Sequence, residues 1–126
     1  MDLFDELRKE GKLTGSLVVK FQQKYGDLFY RSLELLQNNA VSIHKNIFFP
    51  SQLVVWSIQG HSGYYLIYPE VFCQCQNFLI EYIYRRQTFG YCKHLFAQKL
   101  AENLSIFQEN RFKDKEFASW IKKFLP

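Results

Sequence analysis

No apolar stretch in this 126-residue sequence approaches the roughly 18 to 20 residues that a membrane-spanning helix requires, so no membrane role is expected. The start, Met1 to Lys12, is charged and lacks the apolar centre of a secretion signal, which points to an intracellular location. Cysteine is scarce: three residues, an odd number, cannot close a disulfide framework. Glycine is also sparse, with six residues and none arranged as a phosphate-cradling loop, so nucleotide hydrolysis is not expected. Internal repeats and low-complexity tracts are absent.

What is present is a globular composition, 48% hydrophobic and 22% charged, with an aromatic share of 18% that is high for so short a chain. The length suits one domain with one core. A net charge of +4 permits contact with nucleic acid without demanding it.

The hydrophobic period divides the chain. Asp2 to Glu10 reads as a short helix with Leu3, Phe4 and Leu7 on one edge, ended by Gly11. Leu17, Val18, Phe21 and Tyr25 recur at helical spacing, and Gly26-Asp27 supplies a break and an N-cap for a further helix carrying Leu28, Phe29, Leu33 and Leu36. After Asn39 the period becomes alternating. Val41, Ile43 and Ile47 point one way and Ser42, His44 and Asn46 the other, as in a half-buried strand. Leu53 to Gln59 and Tyr64 to Tyr68 follow as strands around a turn at Gly60 to Gly63, completing an antiparallel meander. Asn77 caps a helix from Phe78 to Arg86; Phe96, Leu100, Leu104 and Phe107 mark another. In the tail, capped by Asp114, Phe117, Trp120, Ile121 and Phe124 form a helical stripe suited to docking on the core.

The chemistry gathers at Cys73-Gln74-Cys75 and Cys92-Lys93-His94, which use every cysteine of the chain and have sixteen residues between them. Three thiolates and an imidazole fill the four positions that zinc prefers, leaving no opening for water or substrate, so the site is structural. The competing reading is three core cysteines and an unrelated histidine. Cys92 and His94 fall at a helix N-terminus, where the dipole favours thiolates. With three thiolates the zinc site carries one net negative charge, which Lys93 would soften unless it is simply a solvated lysine.

The pattern Cys-x-Cys, then Cys-x-His, after a hairpin bearing a tryptophan and a turn glycine, resembles the SWIM zinc finger. More narrowly, Cys73 to Phe78 together with Cys92 to Ala97 resembles the SWIM-domain subunit of the Shu complex, over about residues 16 to 107. One departure is Gln76, where many SWIM fingers have proline. The fold implied is α+β: N-terminal helices (1–40), a SWIM module of three-stranded antiparallel meander and zinc-bound finger (41–108), and a C-terminal helix (109–126), all in one globular domain. Phe78 and Ala97 would support the finger, the small side chain of Ala97 allowing close helix approach. The resemblance further implies one structural Zn2+ and a nuclear, non-enzymatic subunit. It would pair with a RecA-like recombinase paralogue, as a heterodimer or within a larger complex, and promote recombinase filament assembly on single-stranded DNA during homologous recombination. DNA, single-stranded or branched, would be met through the complex, with no membrane and no small-molecule substrate.

The alternative is a direct DNA-binding finger in which Arg85, Arg86, Lys93 and Lys99 face phosphates; otherwise these four are ordinary surface charges. An enzyme is the remote third choice, since His44 and His61 have no nucleophilic or acidic partner recognisable by spacing.

Overall fold

The computed structural model describes residues 2–60, 63–69, 72–75 and 92–125. The expected helix from Phe78 to Arg86, together with Gln76 and His61, lies outside them.

Three helices open the chain: α1 (Leu3–Glu10), α2 (Gly15–Tyr25) and α3 (Asp27–Gln37). The Asp2 carboxylate caps α1 by accepting from the Phe4 amide at 2.7 Å, and Gly11 closes it in the left-handed region at φ +75°. Thr14 caps α2 in the same way, accepting from Leu17. Asp27, expected as an N-cap, is instead the first residue of α3; Gly26 occupies the cap with φ +60°, which provides the sharp turn without a side-chain bond.

The sheet follows in β1 (Ser42–Phe49), β2 (Leu53–Gly60), β3 (Gly63–Tyr68) and the two-residue β4 (Phe72–Cys73). The long helix α4 (Lys93–Leu104) precedes a fifth strand, β5 (Gln108–Lys113). The tail ends in α5 (Phe117–Ile121), flanked by 3-10 turns at Asp114–Glu116 and Lys122–Phe124. The strand order is β4-β3-β2-β1-β5, with β5 parallel to β1 and the other pairs antiparallel. The α+β fold and the three-stranded meander are as the sequence suggests. The sheet as a whole is mixed, and residues 109–113 are strand where a C-terminal helix was expected. Asp114 does not cap the tail: its carboxylate accepts from the backbone and hydroxyl of Ser51, tying the β1–β2 turn to the tail.

Three clusters of buried side chains hold these layers together among the described residues. Phe4, Leu7, Leu17, Phe21 and Phe29 of the N-terminal helices enclose Phe96 and Leu100 of α4. On its other side α4 sets Leu95, Ala97 and Ala101 against Ile43, Ile58 and Ile67 of the sheet. A helix packed on both sides is buried nearly all round. Phe107, expected to continue the α4 stripe, lies beyond the helix end at Ser105 and packs edge-on against Trp56. The opposite sheet face is covered by the tail, with Trp120 and Phe124 on Phe48. The aromatic stripe of the tail therefore docks on the core, as its spacing suggests.

Covering both faces changes the role of the polar side of β1. Asn46, expected to face solvent, is 1% exposed. Its amide donates to Val55 O and Ser57 Oγ, both at 2.9 Å, and its oxygen accepts from Asn110 of β5 at 3.0 Å. Asn110 also donates to His44 Nδ1, which places the ring proton on Nε2 toward Ser42 Oγ. This network fixes the register of the parallel pair, because a slip by one residue would bury these groups unpaired.

Burial, and then the nearby charge of Lys123, hold His44 below its ordinary value of 6.5. The unfolded chain thus takes up the proton first as pH falls. The stability His44 contributes is complete above pH 6.5, declines as pH drops below that value, and levels off once the folded ring is also protonated. Urea midpoints of the wild type and His44→Gln, compared from about pH 7.5 to about pH 5.5 across the histidine range, check this. The advantage of the wild type should shrink toward acid, and a pH-independent difference would contradict it.

Candidate metal centre

Cys73 ends β4, held in register opposite Ile67 of β3. The chain then bends through Gln74, whose backbone N–H donates to Leu66 O at 3.0 Å. The Gln74 side chain completes the bend: its oxygen accepts from the Leu66 amide at 3.0 Å, and its nitrogen donates to Phe124 O at 2.7 Å. This local turn lets both thiols of a Cys-x-Cys pair approach one point. Gln74 is a positioning residue with no sequence signature, since it sits in the variable place of the motif.

Cys92 arrives from the other side as the N-cap of α4, its sulfur accepting from the Leu95 amide at 3.3 Å. His94 follows on the first turn, with the Tyr65 ring packed against its imidazole at 5.1 Å. The sulfurs of Cys73, Cys75 and Cys92 and a ring nitrogen of His94 all lie within 4.8 Å of one another. A zinc tetrahedron with arms of about 2.3 Å sets sulfurs about 3.8 Å apart, so small shifts suffice to close it.

The chemistry of the set fits a cation. All three cysteines are buried, and His94 Nδ1 is a buried atom with no hydrogen-bond partner. Hydrogen bonds from Cys75 and then Cys92, with burial, push the Cys73 thiol far upward. At Cys92 the bond with Cys73 acts downward, but the bond with Cys75, burial and the neighbouring sulfur prevail and push it up to about 12. Three buried sulfurs cannot ionise side by side without positive charge; a dication at their centre supplies it, and the α4 N-terminus adds to it. The four residues could hold one zinc ion.

The remaining expected site residues divide. Ala97 is fully buried, with Ala101 one turn on, and these small side chains let α4 lie close on the sheet beside the cysteines. Phe78, Arg85 and Arg86 lie outside the described residues. Lys93 lines a shallow cavity with Arg31, Glu34 and Asn38 of the α3 side. The Lys99 ammonium sits 4.5 Å over the Phe4 ring. Six residues apart on α4, the two lysines point about 120° from each other and form no common stripe.

A β-meander delivers the Cys-x-Cys bend and a Cys-x-His that opens a helix closes it, an arrangement that supports a SWIM-type zinc finger. Among curated proteins the chain is similar to the zinc finger SWIM domain-containing protein 7 homolog of Dictyostelium discoideum. The two are 25% identical over 118 residues, which cover 92% of this chain and 74% of that protein. No protein-family model and no solved structure matches the chain.

Proposed function

We propose that the chain is a non-enzymatic adaptor subunit of a Shu-type complex, acting in the nucleus. It pairs with a RecA-like recombinase paralogue, as a heterodimer or in a larger assembly, and so promotes recombinase filament assembly on single-stranded DNA in recombination repair. The observation that carries this reading is the Cys73, Cys75, Cys92 and His94 cluster, all four protein ligands converging on one point. Bound there, zinc is structural, because four protein ligands leave no position for water or substrate. Its work is to clasp the sheet to α4, and the activity belongs to the surfaces that the clasp holds. The Shu-like character of the residues around both ligand pairs, and the similarity to a SWIM domain-containing protein 7 homolog, support the assignment.

The test is co-expression of the tagged chain with a RecA-like paralogue, followed by affinity purification. One zinc per chain and an equimolar paralogue are expected, with faster filament assembly when the pair is added to recombinase and single-stranded DNA. Undiminished pairing and filament assembly after zinc removal would sink the proposal. Steeply salt-sensitive binding of single-stranded DNA by the chain alone would favour the direct DNA-binding alternative.

A further inference from the structure

A metal-ligating histidine ordinarily sets one ring nitrogen on the ion and donates the proton of the other to a carboxylate or carbonyl, which fixes the plane of the ring. His94 has the first half of this arrangement and lacks the second. Among the described residues only His94 Nδ1 and Gln98 Oε1 are buried side-chain polar atoms without a hydrogen bond, and of the two residues only His94 belongs to the cysteine cluster. A buried nitrogen left without a partner is destabilising, so an orphan at this place calls for a ligand. Nδ1 is also the ring nitrogen nearer the backbone. That suits a side chain on the first turn of α4 that must reach the same point as Cys92 at the cap. The residue as a whole is half-buried, and Nε2 meets no hydrogen-bond acceptor among the described residues.

Without an acceptor on Nε2, packing has to set the ring plane. Tyr65 of β3 supplies it, its ring 5.1 Å from the imidazole at an interplanar angle of 42°. Tyr65 is itself well fixed: it stands opposite Ile58 of β2 and packs on the core cluster that contains the three cysteines. It shares its sheet face with Ile67, two residues on, whose cross-strand neighbour is Cys73. One strand thus places both Cys73 and the wall on which His94 rests.

We propose that His94 takes the metal through Nδ1, with its proton on Nε2 toward water, and that Tyr65 is the positioning residue that sets the imidazole plane in place of a hydrogen bond. The neutral ring then presents a lone pair at Nδ1 without shedding a proton. The inference rests on the metal reading above and adds to it a ligating atom and a supporting side chain.

The experiment uses the full chain loaded with zinc. Long-range proton-nitrogen NMR spectra of the imidazole distinguish a metal on Nδ1 from one on Nε2, and Nδ1 is expected for His94. Tyr65→Leu should weaken zinc binding at least about tenfold in competition with a chelator. It should also alter the ligand-field bands of the cobalt-substituted protein, which a mere loss of stability leaves alone. Tyr65→Phe keeps the ring and should restore both. Phe107→Leu is the control: it trims a side chain packed on the same cluster, against Trp56 instead of His94, and should hold zinc and cobalt as the wild type does. Melting temperatures of the metal-loaded variants separate lost packing from lost positioning, and Tyr65→Ile, better suited to a strand, replaces Tyr65→Leu if that variant does not fold. Ligation through Nε2 overturns the inference. So does a ring-less variant with wild-type affinity and bands, or a Tyr65→Phe protein as impaired as Tyr65→Leu. A wild-type chain that takes up no zinc sinks the metal reading itself, and the inference with it.

Discussion

Cys92→Ser is expected to leave the purified chain without zinc and to collapse its cooperative thermal transition. Serine is a good N-cap, so the bond from the Leu95 amide that Cys92 Sγ accepts can be kept while the thiolate is lost. The substitution therefore separates the metal from the helix cap. Structural zinc contributes on the order of 10 to 16 kcal/mol of apparent binding free energy in small fingers, comparable with the entire stability of a domain, about 5 to 15 kcal/mol. The loss should spread beyond the ligands, because Cys73, Cys75 and Cys92 share one cluster with Ile43, Trp56, Ile58 and Ile67. Trp56, 6% exposed, reports on this directly: its fluorescence should shift to the red in the variant and in the chelator-treated wild type. Metal analysis with melts in and out of chelator provides the check. A Cys92→Ser protein that melts like the wild type would show that the fold does not depend on the metal.

The second large effect is expected at Phe96, two residues past His94. Its ring is fully buried and meets those of Phe4 at 5.4 Å, Tyr25 at 4.8 Å, Phe21 at 6.3 Å and Phe29 at 6.4 Å. One side chain of α4 thus joins all three N-terminal helices. Phe96→Ala should cost about 3 to 5 kcal/mol, the transfer of the ring plus the cavity it leaves. Val19→Ala, on the exposed side of α2, should stay within about 0.5 kcal/mol. Urea denaturation of the zinc-loaded proteins measures both. The pattern also differs from that of Cys92→Ser, since Phe96→Ala leaves the four ligands in place and should retain zinc.

How far the sequence discloses this structure depends on whether a residue's constraint is local. The convergence of Cys73, Cys75, Cys92 and His94 was legible because metal chemistry demands thiol and imidazole groups in closely spaced pairs, and no other cysteine competes. The helices and meander were legible through period. By contrast, β5 reads Gln108-Glu109-Asn110-Arg111-Phe112-Lys113, a polar run without the β-branched residues that mark strands. It is a strand because Asn110 and Phe112 find Asn46 and Phe48 on β1, far away in sequence. Asn46 was misplaced for the same reason: alternation shows that a strand has two faces, but not that the tail covers the second. Gln74 gave no signal because its partners, Leu66 and Phe124, are set by tertiary structure.

The parallel pairing of β5 with β1 bears on the order in which the protein assembles. Asn110 and Asn46 are 64 residues apart, so docking this last strand closes a long loop, and the entropy of that closure must be met before the contacts form. The four residues that could hold the metal lie within that loop, and joining Cys75 to Cys92 through it would remove the intervening sixteen residues from the effective path. Zinc bound there would shorten the search that brings the final strand home, so refolding should be faster when metal is added before the denaturant is diluted than when it is added afterward.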